Sequence, residues 1–169
     1  LDIVTPLVLA CEFSPLSVVS MLLAHPEIQI NKRNDGERTG RTALSQYVRR
    51  PQNLDLVKLL VKAGADIHLR YWNGFSNIHY AVQSSDNLEI VKYLHTEGAS
   101  LHTHDKLLVT PMWTAVEDGN IDMVRYLAEN GAYLDSPNAS CYGFSPFNMA
   151  VFCCHVDIVK FLIGQGADV

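Results

Sequence analysis

The dipeptide Gly-Ala recurs at Gly64-Ala65, Gly98-Ala99, Gly131-Ala132 and Gly166-Ala167, at intervals of 34, 33 and 35 residues. Such a period confines the chain to a stack of similar supersecondary units, since self-similarity at this length is the signature of solenoids and arrays. Two further phrases keep step with it. One is an acidic–apolar–apolar–basic tetrad: Asp55-Leu56-Val57-Lys58, Glu89-Ile90-Val91-Lys92, Asp122-Met123-Val124-Arg125 and Asp157-Ile158-Val159-Lys160. The other opens each unit: Thr5-Pro6-Leu7, Thr42-Ala43-Leu44, Ser76-Asn77-Ile78, Thr110-Pro111-Met112 and Ser145-Pro146-Phe147. Three phrases in one order at one period leave no room for coincidence.

Each phrase has a mechanical meaning. The Thr or Ser hydroxyl accepts a backbone N–H at a helix start. Pro at the next position stands where its missing N–H is not needed. A short first helix is therefore expected, for example from Pro111 to about Glu117. A second helix carries an apolar stripe at helical spacing, Leu88, Ile90, Val91 and Leu94 in one unit and Ile121, Val124 and Leu127 in the next. Gly98 or Gly131 stops it by taking a left-handed conformation. The residues between one stop and the next start suffice for a projecting β-turn or hairpin finger. One unit cannot bury its own stripe, so the units must stack and share a core. The expected fold is all-α, a solenoid of antiparallel helix pairs joined by such fingers.

The Thr-Pro-Leu start, the two helices and the Gly-Ala stop resemble the ankyrin repeat, whose unit is one β-turn plus two helices. The resemblance covers the whole chain as a single domain, residues 1–169, in about five repeats: 1–31, 32–68, 69–102, 103–135 and 136–169. Departures from the family pattern are informative. The family's His after Thr-Pro-Leu survives only as His79, with Val8, Ser45, Trp113 and Asn148 in the other units. The finger glycine appears as Gly40, Gly74 and Gly143, but the fourth repeat has Leu108. Leu108 either adopts an unfavourable backbone, at roughly 1–2 kcal/mol, or belongs to a finger of another shape. The first repeat ends in Ala24-His25-Pro26-Glu27, without its Gly-Ala. The last helix carries Ile158, Val159, Phe161, Leu162 and Ile163 with no polar capping version after it. A fragment of a longer array, continuing past the C-terminal end, is expected.

Composition sets outer limits. Apolar residues make up 48%, enough for a continuous core. The net charge of -5, from 13 basic and 18 acidic residues, lacks the basic excess of a nucleic-acid footprint spread over the surface. No nucleic-acid partner is expected. No apolar run approaches a membrane span and no signal-peptide pattern is present, so membrane insertion is not expected. Cys11, Cys141, Cys153 and Cys154 form neither a CxxC pair nor a disulfide framework. Reduced thiols in the cytosol or nucleus are the expectation.

Chemistry is scarce. No phosphate-binding glycine loop is present, and no cofactor is expected. His102-Thr103-His104-Asp105 offers metal-type donors without a second cluster to complete a site. Cys153-Cys154-His155 sets adjacent residues in diverging directions on a helix, which is poor geometry for a nucleophile and its base. No metal ligand or catalytic residue is assigned, and the chain is not expected to be an enzyme.

Recurrence separates scaffold from site. The pairs Asp55/Lys58, Glu89/Lys92, Asp122/Arg125 and Asp157/Lys160 return at i, i+3 in unit after unit and read as solvated helix faces. In ankyrin proteins the partner usually lies along a concave face, lined by finger residues and by two exposed positions late in the first helix. Carried over position by position, this implies Arg38, Arg41, Arg49 and Arg50 in the second repeat and Trp72, Asn73 and Phe75 in the third. It implies Lys106 and Leu107 in the fourth, and Tyr142, Phe144 and Phe152 in the fifth. Glu12 and Phe13 in the first repeat, and Glu117 and Asp118 in the fourth, share the lining. Exposed aromatics and arginines are the types that most often become interface hot spots. Trp72 is the sharpest single feature, placed either flat on a neighbouring finger or against a partner. Trp113, standing for the family's His, is expected to fill space between helices. The implied function is a non-catalytic protein-binding module, a monomer whose protein partner offers an acidic or aromatic-binding segment. The alternative is a regulatory or targeting domain of a larger enzyme or channel.

Overall fold

The computed structural model describes residues 5–34, 40–139 and 141–168. Ten α-helices follow one another in pairs among them. The pairs are α1 (Pro6–Phe13) with α2 (Leu16–Leu23), α3 (Ala43–Tyr47) with α4 (Leu54–Lys62), and α5 (Asn77–Val82) with α6 (Leu88–Thr96). Then come α7 (Pro111–Glu117) with α8 (Ile121–Glu129), and α9 (Pro146–Phe152) with α10 (Val156–Gly164). A short 3-10 turn, Pro51–Asn53, leads into α4. No strand forms among the described residues, so the fold is the expected all-α one.

The odd helices start where a hydroxyl captures a free N–H. The Thr5 and Thr110 hydroxyls accept from Val8 N at 3.3 Å and Trp113 N at 3.1 Å. Thr42/Ser45 and Ser145/Asn148 form reciprocal capping boxes, satisfying two orphan donors each, and Ser76 N donates to His79 Nδ1 at 3.1 Å. The even helices stop in one recurring way. Ala65 N donates to Leu60 O at 3.0 Å, Ala99 N to Leu94 O at 2.9 Å, Ala132 N to Leu127 O at 2.9 Å and Ala167 N to Leu162 O at 3.1 Å. The glycine before each alanine has positive φ, between 80° and 99°, which completes the Schellman-type stop.

Stacking follows from burial. Odd helices pack on odd ones in the order α1, α3, α5, α7, α9, and even helices form a second row behind them. Val19, Val57, Leu60, Val91, Leu94, Val124, Leu127 and Leu162 of that second row are fully buried. Each such side chain contributes about 1.5–3 kcal/mol when removed from water. Polar fasteners cross between pairs as well. Asn87 Nδ2 donates to Val48 O at 2.9 Å and to Ala81 O at 3.0 Å. Asn120 Nδ2 reaches Ser85 O at 2.8 Å, and His155 Nε2 lies 3.3 Å from Glu117 O.

The fingers are tight turns rather than ladders. Single closing bonds join Tyr71 N to Phe75 O, Asp105 N to Val109 O and Asn138 N to Phe144 O, at 2.9, 3.0 and 3.0 Å. Neighbouring fingers bond to each other through Lys106 N to Asn73 O (3.1 Å) and Ala139 N to Leu107 O (2.9 Å). Arg33 Nη2 donates to Arg70 O at 2.9 Å, and Arg70 Nη1 to His104 O at 2.6 Å. Gly74, at φ +87°, is needed twice over, because a Cβ there would stand 2.7 Å from Lys106 N. Leu108 resolves the alternative left by the sequence. Its φ is +63°, so it keeps the left-handed turn and carries the strain.

Val151 occupies the position held by the buried Val48, Val82 and Val116, yet it is 50% exposed; Val156 and Ile163 are exposed on the same helix pair.

Candidate partner-binding face

The odd helices and the fingers share one face, and each odd helix turns its last residues toward it. Its character changes along the row. At α1 and α3 one charge pair closes on itself. Arg50 Nη1 lies 3.1 and 3.2 Å from the two Glu12 carboxylate oxygens, and its guanidinium is 5.5 Å from the Tyr47 ring centre. The Tyr47 hydroxyl is 2.7 Å from Glu12 Oε2 and 3.1 Å from Val8 O. Tyr47 and Arg50 together hold the Glu12 carboxyl below its ordinary value. Arg41 and Arg49 lie 5.3 and 6.0 Å from the ring centre of buried Tyr80. The basic residues of this region therefore rest on two interior tyrosines. Phe13 beside them is 81% exposed. Arg38 falls outside the described residues.

The middle of the face belongs to the Tyr71–Phe75 finger. Trp72 is 61% exposed at its tip. One edge of the indole leans on the preceding finger, where a Cβ on Gly40 would stand 3.3 Å from Trp72 Nε1. Tyr71 is buried, its hydroxyl 3.1 Å from Thr42 Oγ1 and 3.1 Å from Asn77 Oδ1. Asn73 is exposed, but its Oδ1 accepts from Phe75 N at 3.1 Å and braces the turn. Phe75 is half-buried, 5.1 Å from the His79 ring in a stacked arrangement and 5.3 Å from Tyr80.

At α7 and α9 the face becomes aromatic and acidic. Lys106 and Leu107 are exposed on the fourth finger. Tyr142, 95% exposed, rides a turn in which φ is +52° at Tyr142 and +73° at Gly143, closed by Phe144 N to Cys141 O at 2.8 Å. Phe144 lies 5.9 Å from Tyr142 and 5.9 Å from Phe152, so the three rings form one cluster. Phe152 is 69% exposed. Glu117 and Asp118 end α7 alongside, both exposed. Partial desolvation, with Asp118 beside it, pushes the Glu117 carboxyl above its ordinary value, and partial desolvation raises Asp118 too.

Several residues of chemical interest have structural surroundings that account for them. Burial lifts the Cys11 thiol to about 11, and burial together with nearby Glu117 raises Cys153. Asp105 is buried, its Oδ1 accepting from Leu107 N and Val109 N at 2.8 Å each. The His102 ring packs 4.7 Å from Tyr133. Among the described residues no three His, Cys, Asp or Glu side chains converge as a metal site would require.

Sequence reading missed Tyr47 and Tyr80, the rings under the arginines, and Arg33 and Arg70, which staple successive fingers. The staple had a faint signal: the two arginines stand 37 residues apart, near the repeat period. The tyrosines had none, since they occupy different positions in their helices.

Comparison with known proteins agrees with this architecture. A family model described as ankyrin repeats, in three copies, matches residues 2–71 and 78–169. The chain is 42% identical over 66 residues to human protein phosphatase 1 regulatory subunit 27, covering 39% of this chain and 42% of that protein. It is 34% identical over 94 residues to a Rickettsia bellii protein provisionally described as an ankyrin repeat protein, covering 55% and 51% of the two. It is 35% identical over 86 residues to an Arabidopsis thaliana protein provisionally named E3 ubiquitin-protein ligase XBAT34, covering 50% and 23%. The chain thus spans between 23% and 51% of the length of these relatives. No helix among the described residues is long and apolar enough to cross a membrane.

Proposed function

The chain belongs to the ankyrin-repeat family, and we propose that it binds a protein partner across the fingers and the ends of the odd helices, without catalysing a reaction. The observation that carries this reading is the set of aromatic side chains held out on that face: Trp72, Tyr142 and Phe152, all more than half exposed. A rigid stack that keeps large rings in water gains nothing for its own stability from doing so. Rings fixed in this way lose little conformational freedom on binding, which favours their use as anchors. Arg49, exposed and held over Tyr80, would meet acidic groups of the partner, with Arg41 beside it over the same ring. Arg50 is less available because Glu12 already pairs with it.

The reading takes the module as a monomer in a reducing compartment, cytosol or nucleus, which suits the four free thiols. The test is quantitative binding of a partner captured with the intact chain. Trp72→Ala is expected to weaken it more than about tenfold, while the circular dichroism spectrum and melting temperature stay unchanged. Equal binding by the folded variant would refute the assignment of this face.

A second reading is favoured by the relatives. One is named a regulatory subunit and another a ubiquitin ligase, and the chain spans only part of each. On this reading the stretch targets or regulates a larger enzyme. It predicts a catalytic or membrane domain elsewhere in the full-length protein, which the complete coding sequence would reveal.

A further inference from the structure

We propose that Tyr142, Phe144 and Phe152, beside Glu117 and Asp118, form a subsite for a cationic side chain, a lysine or arginine within a basic segment of a protein partner. The inference rests on the partner-binding reading above and supplies the chemistry of one end of it.

Four observations converge. Phe144 links the other two rings, 5.9 Å from the centre of each, at interplanar angles of 43° and 60°. Rings tilted in this way turn electron-rich faces in several directions, and such faces attract ammonium and guanidinium groups. Register places the two acids beside the cluster. Phe152 holds on α9 the position that Glu117 holds on α7, and these helices pack side by side. His155 Nε2, 3.3 Å from Glu117 O, ties the end of α7 to the α9–α10 turn. The His155 ring lies so close to Gly119 that a Cβ there would be 2.7 Å away, which leaves that junction little play.

Among the described residues no basic side chain forms an ion pair with Glu117 or Asp118, and partial desolvation raises both carboxyls. Glu12, at the equivalent place on α1, behaves in the opposite way because Arg50 pairs with it. Among the described residues, the acid pair on α7 thus stands without the counter-charge that Glu12 has on α1.

Charge distribution points the same way. Residues 1–102 hold ten acidic and ten basic side chains, whereas residues 103–169 hold eight acidic and three basic ones. The whole net charge of -5 therefore arises in the C-terminal two-fifths of the chain. A field of that sign steers a basic segment toward this end and repels an acidic one. A purely apolar occupant would cover Glu117 and Asp118 without compensating them. A second copy of the chain would bring its own excess of acid. A basic segment satisfies rings and carboxylates together.

The test uses the uniformly 15N-labelled chain titrated with acetyl-Gly-Lys-Gly-amide and acetyl-Gly-Arg-Gly-amide, with the norleucine and glutamate tripeptides as controls. The lysine and arginine peptides are expected to shift the amides of Glu117, Asp118, Tyr142, Gly143, Phe144, Phe152 and Cys153 and to saturate. The controls are expected to leave them in place. The double variant Glu117→Gln/Asp118→Asn and the single variant Phe152→Ala, each checked for an unchanged melting curve, should weaken the effect about fivefold or more. Shifts as large with norleucine would show a generic apolar patch, and shifts scattered over all acidic positions would show diffuse attraction. Dilution-dependent shifts of the free chain at these amides would show self-association, and no response up to ~20 mM peptide would show no subsite. Each of these overturns the proposal. Loss of partner binding in Trp72→Ala alongside any of them removes this subsite alone. A partner bound equally by wild type, Trp72→Ala and Phe152→Ala removes the broader reading.

Discussion

At the scale of residues, His79 and Trp113 show how different side chains perform one task. His79 Nδ1 accepts from Ser76 N at 3.1 Å, which assigns the ring proton to Nε2, 3.1 Å from Val109 O. Trp113 stands at the same place in the next unit, and its Nε1–H donates to Phe144 O at 3.2 Å. The indole therefore does more than fill space. It keeps the one bond by which this position holds the following finger. Burial drives the His79 pKa from 6.5 down to about 4, so the ring is neutral in the fold. The consequence for stability has a definite sign. The unfolded chain takes up the proton first as pH falls. The contribution is complete above pH 6.5 and is lost progressively toward pH 4, about 3 kcal/mol in all. Urea unfolding at pH 7, 6 and 5 should show wild type losing stability faster than His79→Gln. Parallel losses in the two chains would contradict the buried neutral imidazole.

At the scale of elements, the helix starts and stops behaved as their local sequence implied, while the side chains between them found longer-range partners. The recurring i, i+3 acid–base pairs illustrate this. Glu89 and Lys92 do pair, at 2.8 Å. Lys58 and Arg125 instead lie over rings of the next even helix, 5.9 Å from Tyr93 and 4.8 Å from Phe161. A cation over an adjacent ring keeps its hydration and gains a polarisable surface, whereas an exposed ion pair gains little. Asn87 shows the same shift of scale. It precedes α6 and looks like a helix cap, yet its amide bridges Val48 O and Ala81 O instead, from a fully buried position. Asn87→Ala would leave two buried carbonyls without this donor. The expected cost is about 2 kcal/mol, read as a lower urea midpoint with little change in the slope of the transition. A change below roughly 0.5 kcal/mol would mean that water replaces the amide freely.

At the scale of the whole molecule, the stack is quasi-one-dimensional, so each helix pair is stabilised by itself and by its neighbours. The pair α5–α6 is covered on both sides and contributes fully buried Ile78, Tyr80, Ile90, Val91 and Leu94. The pair α9–α10 leaves Val151, Val156 and Ile163 in water. In the 169-residue chain taken alone, hydrogen exchange should therefore show amides of α10 exchanging at least about tenfold faster than those of α6, with α8 between. Uniform protection along the row would indicate a single cooperative block.

The one-dimensional code of period, hydroxyl caps, apolar stripes and glycine stops was sufficient for the helix pairs, because each of those signals acts within about five residues along the backbone. The candidate face was legible only as a set of positions: that Trp72, Tyr142 and Phe152 project outward follows from their register in the unit. What they stand beside does not. Glu12 neutralising Arg50, Tyr80 supporting Arg41 and Arg49, and His155 tied to Glu117 O all depend on groups in adjoining units, 35 to 38 residues away in the cases of Tyr47, Arg50 and His155. Those juxtapositions are created by packing one unit against the next, and only the stacked molecule could reveal which side chains stand together.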